Sequence, residues 1–220
     1  MFNGFTQETS DFLFNISFNN ERPWFLAHKG EYEQFVKAPL DALGADVLEI
    51  MRKRFTDDDL TLHVARIYRD ARRLYGRGPY KDHLWFTIQH GKFGAFEPVY
   101  WFEICADTYA YGVGGWDAQP RHMEIYRRRI DADPAGFERM VTPLTKSDGF
   151  RLWGGEYKRP KGDKGEALNR WYNRKTVSAG YEYNFGGNAL SPNLPQIIAE
   201  AFIKLTPLQR FLKTCCNMDQ

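Results

Sequence analysis

The segment Arg66-Ile67-Tyr68-Arg69-Asp70-Ala71-Arg72-Arg73-Leu74-Tyr75-Gly76-Arg77-Gly78-Pro79-Tyr80-Lys81 sets the densest run of cations in the chain around one carboxylate. Guanidinium groups suit the two-pronged recognition of carboxylate or phosphate, so Arg66, Arg69 and Arg72, supported by Lys81, are candidate contacts for an anion. Asp70 either orients one of these guanidiniums or serves as an acid or base, and Tyr80 offers a hydroxyl. The same residues also suit a partly buried ion-pair network pinning loop to sheet, because charges withdrawn from water need partners. As a strand, the segment puts Arg66 and Tyr68 on one face and Arg69 on the other; as a helix, it lines Arg66, Arg69, Asp70 and Arg73 along one polar face. Gly76, Gly78 and Pro79 end either element.

A second group lies upstream, from Asn19-Asn20 through Trp24-Phe25 and His28-Lys29 to Tyr32. A helix starting near Pro23 turns Phe25, Tyr32, Phe35 and Val36 inward, with His28 and Lys29 in the intervening turn. Two polar residues interrupting an inward face need partners, and the arginine segment has too few local acids to neutralise itself. The expectation is one polar pocket, bordered by Trp24, in which His28 and Lys29 approach Arg66 to Lys81 and an anion bridges the two. His28 then joins Asp70 and Tyr80 as a candidate catalytic group. The plainer alternative has Lys29 running its stem to water and His28 satisfied in the core.

Other chemistry finds less support. The five histidines lack His-Glu-x-x-His spacing and no Cys-x-x-Cys occurs, so neither a metal nor a cofactor is expected. Gly112-Val113-Gly114-Gly115-Trp116-Asp117 follows a strand and precedes a helix, an order that can present amides to phosphate, but it lacks both common glycine-rich spacings and reads as a plain turn. No Gly-x-Ser-x-Gly elbow is present.

The elements that must position these residues fall into three blocks. Thr6 caps a first helix carrying Phe12, Leu13 and Ile16, and a third helix opens near Pro39 with Leu40, Leu43, Val47, Ile50, Met51 and Phe55 on one buried face. From about residue 63 the texture turns aromatic and β-branched, with strands expected over 84–89, 99–106, 108–113, 150–158 and 176–185. Connections as short as that between Asp107 and Thr108 exclude helical crossovers and favour an antiparallel meander. Helices return after Pro120 and Pro134, and again from Leu194 through Leu205, with another expected to start at Pro207. The loop Lys158-Arg159-Pro160-Lys161-Gly162-Asp163-Lys164-Gly165 is expected to be exposed and mobile. With no linker or repeat, the reading is a single α+β domain over 1–220, an antiparallel sheet covered by helices from both termini.

Bulk properties narrow the function. The chain has 220 residues, 43% hydrophobic and 26% charged, and its 30 basic against 28 acidic residues argue against general nucleic-acid binding. No stretch reaches the roughly 18 apolar residues of a membrane span. The amino terminus lacks a basic region followed by an apolar run, and the three cysteines are odd in number, so a soluble, cytoplasmic protein with reduced thiols is expected. The best-supported function is binding of a small phosphate- or carboxylate-bearing ligand, as an enzyme of unassigned reaction or a non-catalytic binder. The alternative is an interaction protein whose Arg/Asp network is structural.

Asn19-Asn20, Trp24-Phe25, His28-Lys29, Arg66, Arg69-Asp70, Arg72 and Pro79-Tyr80-Lys81 together resemble the bacterial family catalogued as domain of unknown function 2461. Gly114-Gly115-Trp116, Lys158-Arg159-Pro160, Arg174-Lys175 and Pro207-Leu208 with Phe211-Leu212 extend the resemblance over nearly the whole chain. Where members of that family carry Phe after the third arginine and an Asp-Lys pair before Pro-Tyr-Lys, this chain has Arg73, Gly76 and Arg77, so one carboxylate is missing. The resemblance implies no particular reaction or cofactor.

Overall fold

A computed structural model describes residues 1–91, 97–115 and 118–216. Helix α1 (Gln7–Phe18) starts where Thr6 N–H donates to Thr9 Oγ1, and it turns Phe12, Leu13 and Ile16 into the core. Helix α2 (Arg22–Ala27) opens on Pro23 and ends at His28, and the short α3 (Lys29–Glu31) leads into a π-helical stretch, Tyr32–Lys37. This runs without a break into α4 (Ala38–Arg54), so the helix expected to open near Pro39 continues an existing one. Proline lacks an N–H and crowds the carbonyl four residues back. Here that carbonyl is Phe35's, and it accepts instead from the buried Thr9 hydroxyl at 2.6 Å. The wider π turn, in which Ala38 N–H reaches Glu33 O, accommodates the ring.

Six strands, β1 (Leu60–Val64), β2 (Leu84–His90), β3 (Val99–Ile104), β4 (Thr108–Gly114), β5 (Phe150–Trp153) and β6 (Ser178–Asn184), form one antiparallel sheet in the order β1-β2-β3-β4-β6-β5. The meander holds for the first four, and β6 inserts beside β4, leaving β5 at the edge. Strand β5 is shorter than expected because the chain turns away at Gly154, whose φ of +110° and closeness to Thr176 O exclude a side chain. Helices α5 (Pro120–Ala132) and α6 (Pro134–Thr145) begin on their prolines as expected. A further helix, α7 (Glu166–Tyr172), has too few apolar positions to have been read from periodicity.

The last helix, α8 (Leu194–Thr214), passes straight through Pro207 instead of restarting there. Leu194, Ile198, Ala201, Phe202 and Leu205 before the proline and Leu208 and Leu212 after it are all buried in the same core, and that packing outweighs the roughly 3 kcal/mol a mid-helix proline costs.

Alternation divides the sheet. Phe86, Ile88, Tyr100, Phe102, Ile104, Tyr109, Tyr111, Val113, Ala179 and Tyr181 join one continuous core with α1, α4, α5, α6 and α8. The opposite face carries Trp85, Thr87, Trp101, Glu103, Gly112, Ser178 and Gly180. On it Val99, Trp101, Ala110 and Trp153 make a separate small cluster to which no described helix contributes. Trp101 Nε1 donates to Ser178 Oγ at 3.0 Å, crossing the whole width of β4. That path is open because the β4 residue paired with Trp101 is Gly112, and Gly112 in turn faces Gly180 on β6.

Candidate functional site

The connection between β1 and β2 carries the arginine segment, and it is neither of the two regular elements considered. Ala65 N–H still bonds to Trp85 O, after which the chain runs irregularly to a single antiparallel bridge between Tyr68 and Tyr80. Asp70 then caps a 3-10 turn, Ala71–Arg73. A tight turn follows, with Tyr75 at φ +46°, Gly76 at φ +80° and Arg77 N–H bonded to Leu74 O. Two consecutive positive φ angles define a type I′ turn, which accounts for glycine at 76 where the resembling family carries a carboxylate.

The arginines separate by role. Arg69, its side chain only 12% exposed, donates Nε to Tyr80 O at 2.6 Å and Nη2 to Asp82 Oδ1 at 2.8 Å. Arg72 lies at the surface, where its guanidinium grips Asp70 through Nε at 3.0 Å and Nη2 at 2.8 Å while its backbone N–H also donates to Asp70. Of the guanidiniums in the segment, the one Asp70 orients is that of Arg72. Tyr80 is buried, stacked on Phe25 with centroids 4.2 Å apart, and Asn20 holds both its N–H and its C=O at 2.9 Å. This clamp explains Gly78, whose missing Cβ would sit 2.2 Å from Asn20 Oδ1. Arg66 is exposed, and among the described residues its guanidinium makes no hydrogen bond or ion pair.

Among the described residues no hydrogen bond, ion pair or ring contact joins His28 or Lys29 to this segment. His28 Nδ1 lies 2.8 Å from Trp24 O and its ring stacks on Trp24 at 4.1 Å, while Lys29 pairs with Glu33 one turn on. Trp24 packs against Phe12 of α1. The physical reason is that His28 ends α2 instead of continuing it, so its ring folds back over the preceding turn. The helix does dock on the segment, but through Phe25, which touches Tyr68 and Tyr80, and through Asn20.

Lys81 is the residue that links the arginine segment to chemistry. Its ammonium donates to Arg66 O and to Tyr68 O, and it lies 5.0 Å over the Trp85 ring. Burial, then the charges of Arg66 and Arg69, push its pKa below the ordinary lysine value. His83 stacks on the same indole, with centroids 5.6 Å apart. Its Nδ1 lies 3.0 Å from Asp82 Oδ1 and its Nε2 lies 3.6 Å from Glu103 Oε1, an imidazole held between two carboxyl groups. Burial opposes ionisation of Asp82, but hydrogen bonds from His83 and the backbone and the charges of His83 and Arg69 outweigh it and hold the carboxyl low. Glu103 differs. Burial dominates, the His83 charge opposes it, Glu182 and Asp82 add repulsion, and the result is a raised pKa. Cys105, two residues along, is pushed up to about 11 by burial and by Glu103, which leaves a thiol and not a nucleophilic thiolate.

The sequence contained signals for this group. Glu103 breaks the apolar run of β3 at a position that alternation assigns to the open face, and Asp82-His83 follows Pro-Tyr-Lys directly. Two carboxyls driven apart in proton affinity around one imidazole are suited to moving a proton. Among the described residues no three His, Cys, Asp or Glu side chains are grouped as metal ligands.

The raised Glu103 pKa has a measurable sign. A carboxyl that binds its proton more tightly when folded favours the folded state at low pH, and this contribution is lost as pH rises from about 4.5, the ordinary glutamate value, through the higher folded value. Glu103→Gln is therefore expected to raise the melting temperature at neutral pH and to flatten the decline of stability above that point. A variant less stable than the parent at neutral pH would contradict the assignment.

The architecture is that of an α+β protein whose antiparallel sheet packs helices on one face, with the connection between β1 and β2 bringing Lys81 to Trp85 and His83 to Glu103 of β3. Residues 8–211 match the conserved hypothetical protein family DUF2461, and the chain belongs to that family. No curated protein matches it. No helix among the described residues is long and apolar enough to cross a membrane.

Proposed function

We propose that the protein binds a small anionic ligand, bearing phosphate or carboxylate, at the edge formed by Arg66 and Lys81, with Trp85 beneath it and the His83–Glu103 pair alongside. The observation that carries this reading is the uncompensated charge on Lys81. Its ammonium is partly withdrawn from water beside two guanidiniums, yet its partners are backbone carbonyls and an indole face, and the nearby Asp82 already serves Arg69 and His83. Like charges held together cost free energy that a bound anion offsets. If the ligand is a substrate, His83 and Glu103 are the acid–base candidates at the site, in place of Asp70, which pairs with Arg72, His28, which meets Trp24 O, and Tyr80, which is buried against Phe25. Arg69 then positions Asp82 and does not contact the ligand, and Arg72 and Lys29 stand outside the site.

The second reading, a binding-neutral scaffold in an interaction protein, draws its support from Arg69 and from the Asp70–Arg72 pair, all satisfied internally. Thermal unfolding with nucleotides, sugar phosphates and small carboxylates separates the two, since a ligand bound only by the folded chain at 100 times its Kd stabilises by about 2.7 kcal/mol. Anion binding requires a saturable rise in melting temperature with at least one of them. A scaffold gives none. We further propose a cytoplasmic location, which cell fractionation tests, and, on the near balance of 30 basic and 28 acidic residues, no general nucleic-acid affinity, which gel-shift assays test.

A further inference from the structure

A second concentration of cations lies far along the chain, where the loop after β5 meets α5. The two segments 121–131 and 156–175 hold 11 Lys and Arg against 5 Asp and Glu, in a chain whose total is only +2. The loop expected to be exposed and mobile is exposed, and hydrogen bonds with Asn169 and Asn173 hold its backbone. Asn173 Oδ1 accepts from Lys161 N at 2.7 Å and Gly162 N at 3.4 Å, and Asn173 Nδ2 donates to Gly162 O at 3.1 Å. Lys164 N donates to Asn169 Oδ1 at 2.8 Å, and Asp163 Oδ1 accepts from Gly165 N and from Asn169 Nδ2. At its root, Arg174 holds Gly154 O at 2.6 Å and Glu156 at 3.1 Å.

What this framework holds in place leaves one buried donor unsatisfied. The Arg127 guanidinium lies 5.6 Å from the centre of the Tyr157 ring and the Lys161 ammonium 4.7 Å from the same ring, so two cations share one aromatic face system. Arg127 Nη1 is out of contact with solvent and has no hydrogen-bond acceptor. The acids nearby are committed: Asp131 to Lys164 at 2.8 Å and Tyr172 OH at 2.9 Å, Glu156 to Arg174, and Asp163 to its own turn. Among the described residues Arg127, Lys158, Arg159 and Lys161 form no ion pair. A network of side-chain amides thus fixes a loop that brings Lys161 and the half-buried Arg127, one of whose guanidinium nitrogens is buried without an acceptor, to the same tyrosine. The Asp131 carboxyl, held low by its hydrogen bond from Lys164, is close enough to Arg127 to be lowered by that charge as well.

We propose that Arg127, Tyr157 and Lys161, with Lys158 and Arg159 at the mouth, form a binding site for the phosphate group of a small phosphorylated molecule. Several cations around one guanidinium suit a doubly charged tetrahedral oxyanion better than a single carboxylate, because each phosphate oxygen can take its own charged donor. The ligand group enters between Tyr157 and Arg127, supplies the acceptor that Nη1 lacks, and draws Lys161 off the ring. The site is independent of the one at Arg66 and Lys81, sharing no residue with it.

The test uses the full chain and inorganic phosphate, with the NMR signals of the Arg127 Nε–H and the Tyr157 amide as readout. Saturable shifts of both are expected, with acetate producing neither. Lys161→Gln, an exposed change that leaves the fold intact, should weaken phosphate at least tenfold, equal to about 1.4 kcal/mol. Arg127→Gln should abolish the response. Arg66→Gln should leave it unchanged, so that failure at one site is distinguishable from failure at the other. Absence of saturable shifts, an equal response to acetate, or full retention of affinity in Lys161→Gln would each overturn the proposal.

Discussion

Arg69→Ala is expected to cost about 2–3 kcal/mol of folding free energy, seen as a lowered denaturation midpoint at unchanged slope. The loss arises in two places. Tyr80 O loses its charged donor and keeps only Asn20 Nδ2, and Asp82 loses the guanidinium that neutralises it. Water reaches Asp82, whose side chain is 43% exposed, so the penalty stays below that of a fully buried ion pair. Arg72→Ala, in the same motif, should be indistinguishable from the parent, since its guanidinium is 87% exposed and its pair with Asp70 is a surface one. Equal effects at the two positions would contradict the division of the motif into a structural and a surface arginine.

Gly180→Ala is expected to be more damaging, at more than about 3 kcal/mol, and to reduce soluble expression. A Cβ at this position would lie 2.1 Å from Tyr111 O and 2.5 Å from Gly112 Cα, and both are backbone atoms of the central strand that cannot turn aside. Relief requires β4 and β6 to separate, which breaks the register carrying Trp101 across to Ser178. A variant that melts within a few degrees of the parent would show that the sheet tolerates a spread this account excludes.

The fold was legible where one physical rule acted alone. Periodicity of Leu40, Leu43, Val47 and Met51 marked a helix face, and the short connection between β3 and β4, three residues long, dictated antiparallel pairing. It was misread where tertiary partners overrode a local rule. Pro39 and Pro207 read as helix starts because a proline removes a hydrogen bond, and only the structure supplies the Thr9 hydroxyl and the continuous buried stripe that compensate. The site was half legible. Density of charge pointed to the arginine segment, but density does not reveal which cations are already satisfied. Arg69 and Lys81 differ in that respect through carbonyls and a carboxylate brought close only by the β1–β2 connection. His28 attracted attention as a polar residue on an apolar face, and its partner proved to be the carbonyl four residues back. His83 and Glu103 escaped because they are joined by a strand pairing that spacing along the chain does not encode.

The central claim is that Arg66 and Lys81 hold an anion while Arg69 holds the fold, and a calorimetric titration of inorganic phosphate or a small carboxylate into the parent and into Arg66→Gln/Lys81→Gln tests it most directly. The expected result is a double variant that unfolds cooperatively near the parent temperature and has lost the binding heat assigned to this edge. A double variant that binds as the parent does, or a parent that shows no heat at this edge with any anion, would contradict it.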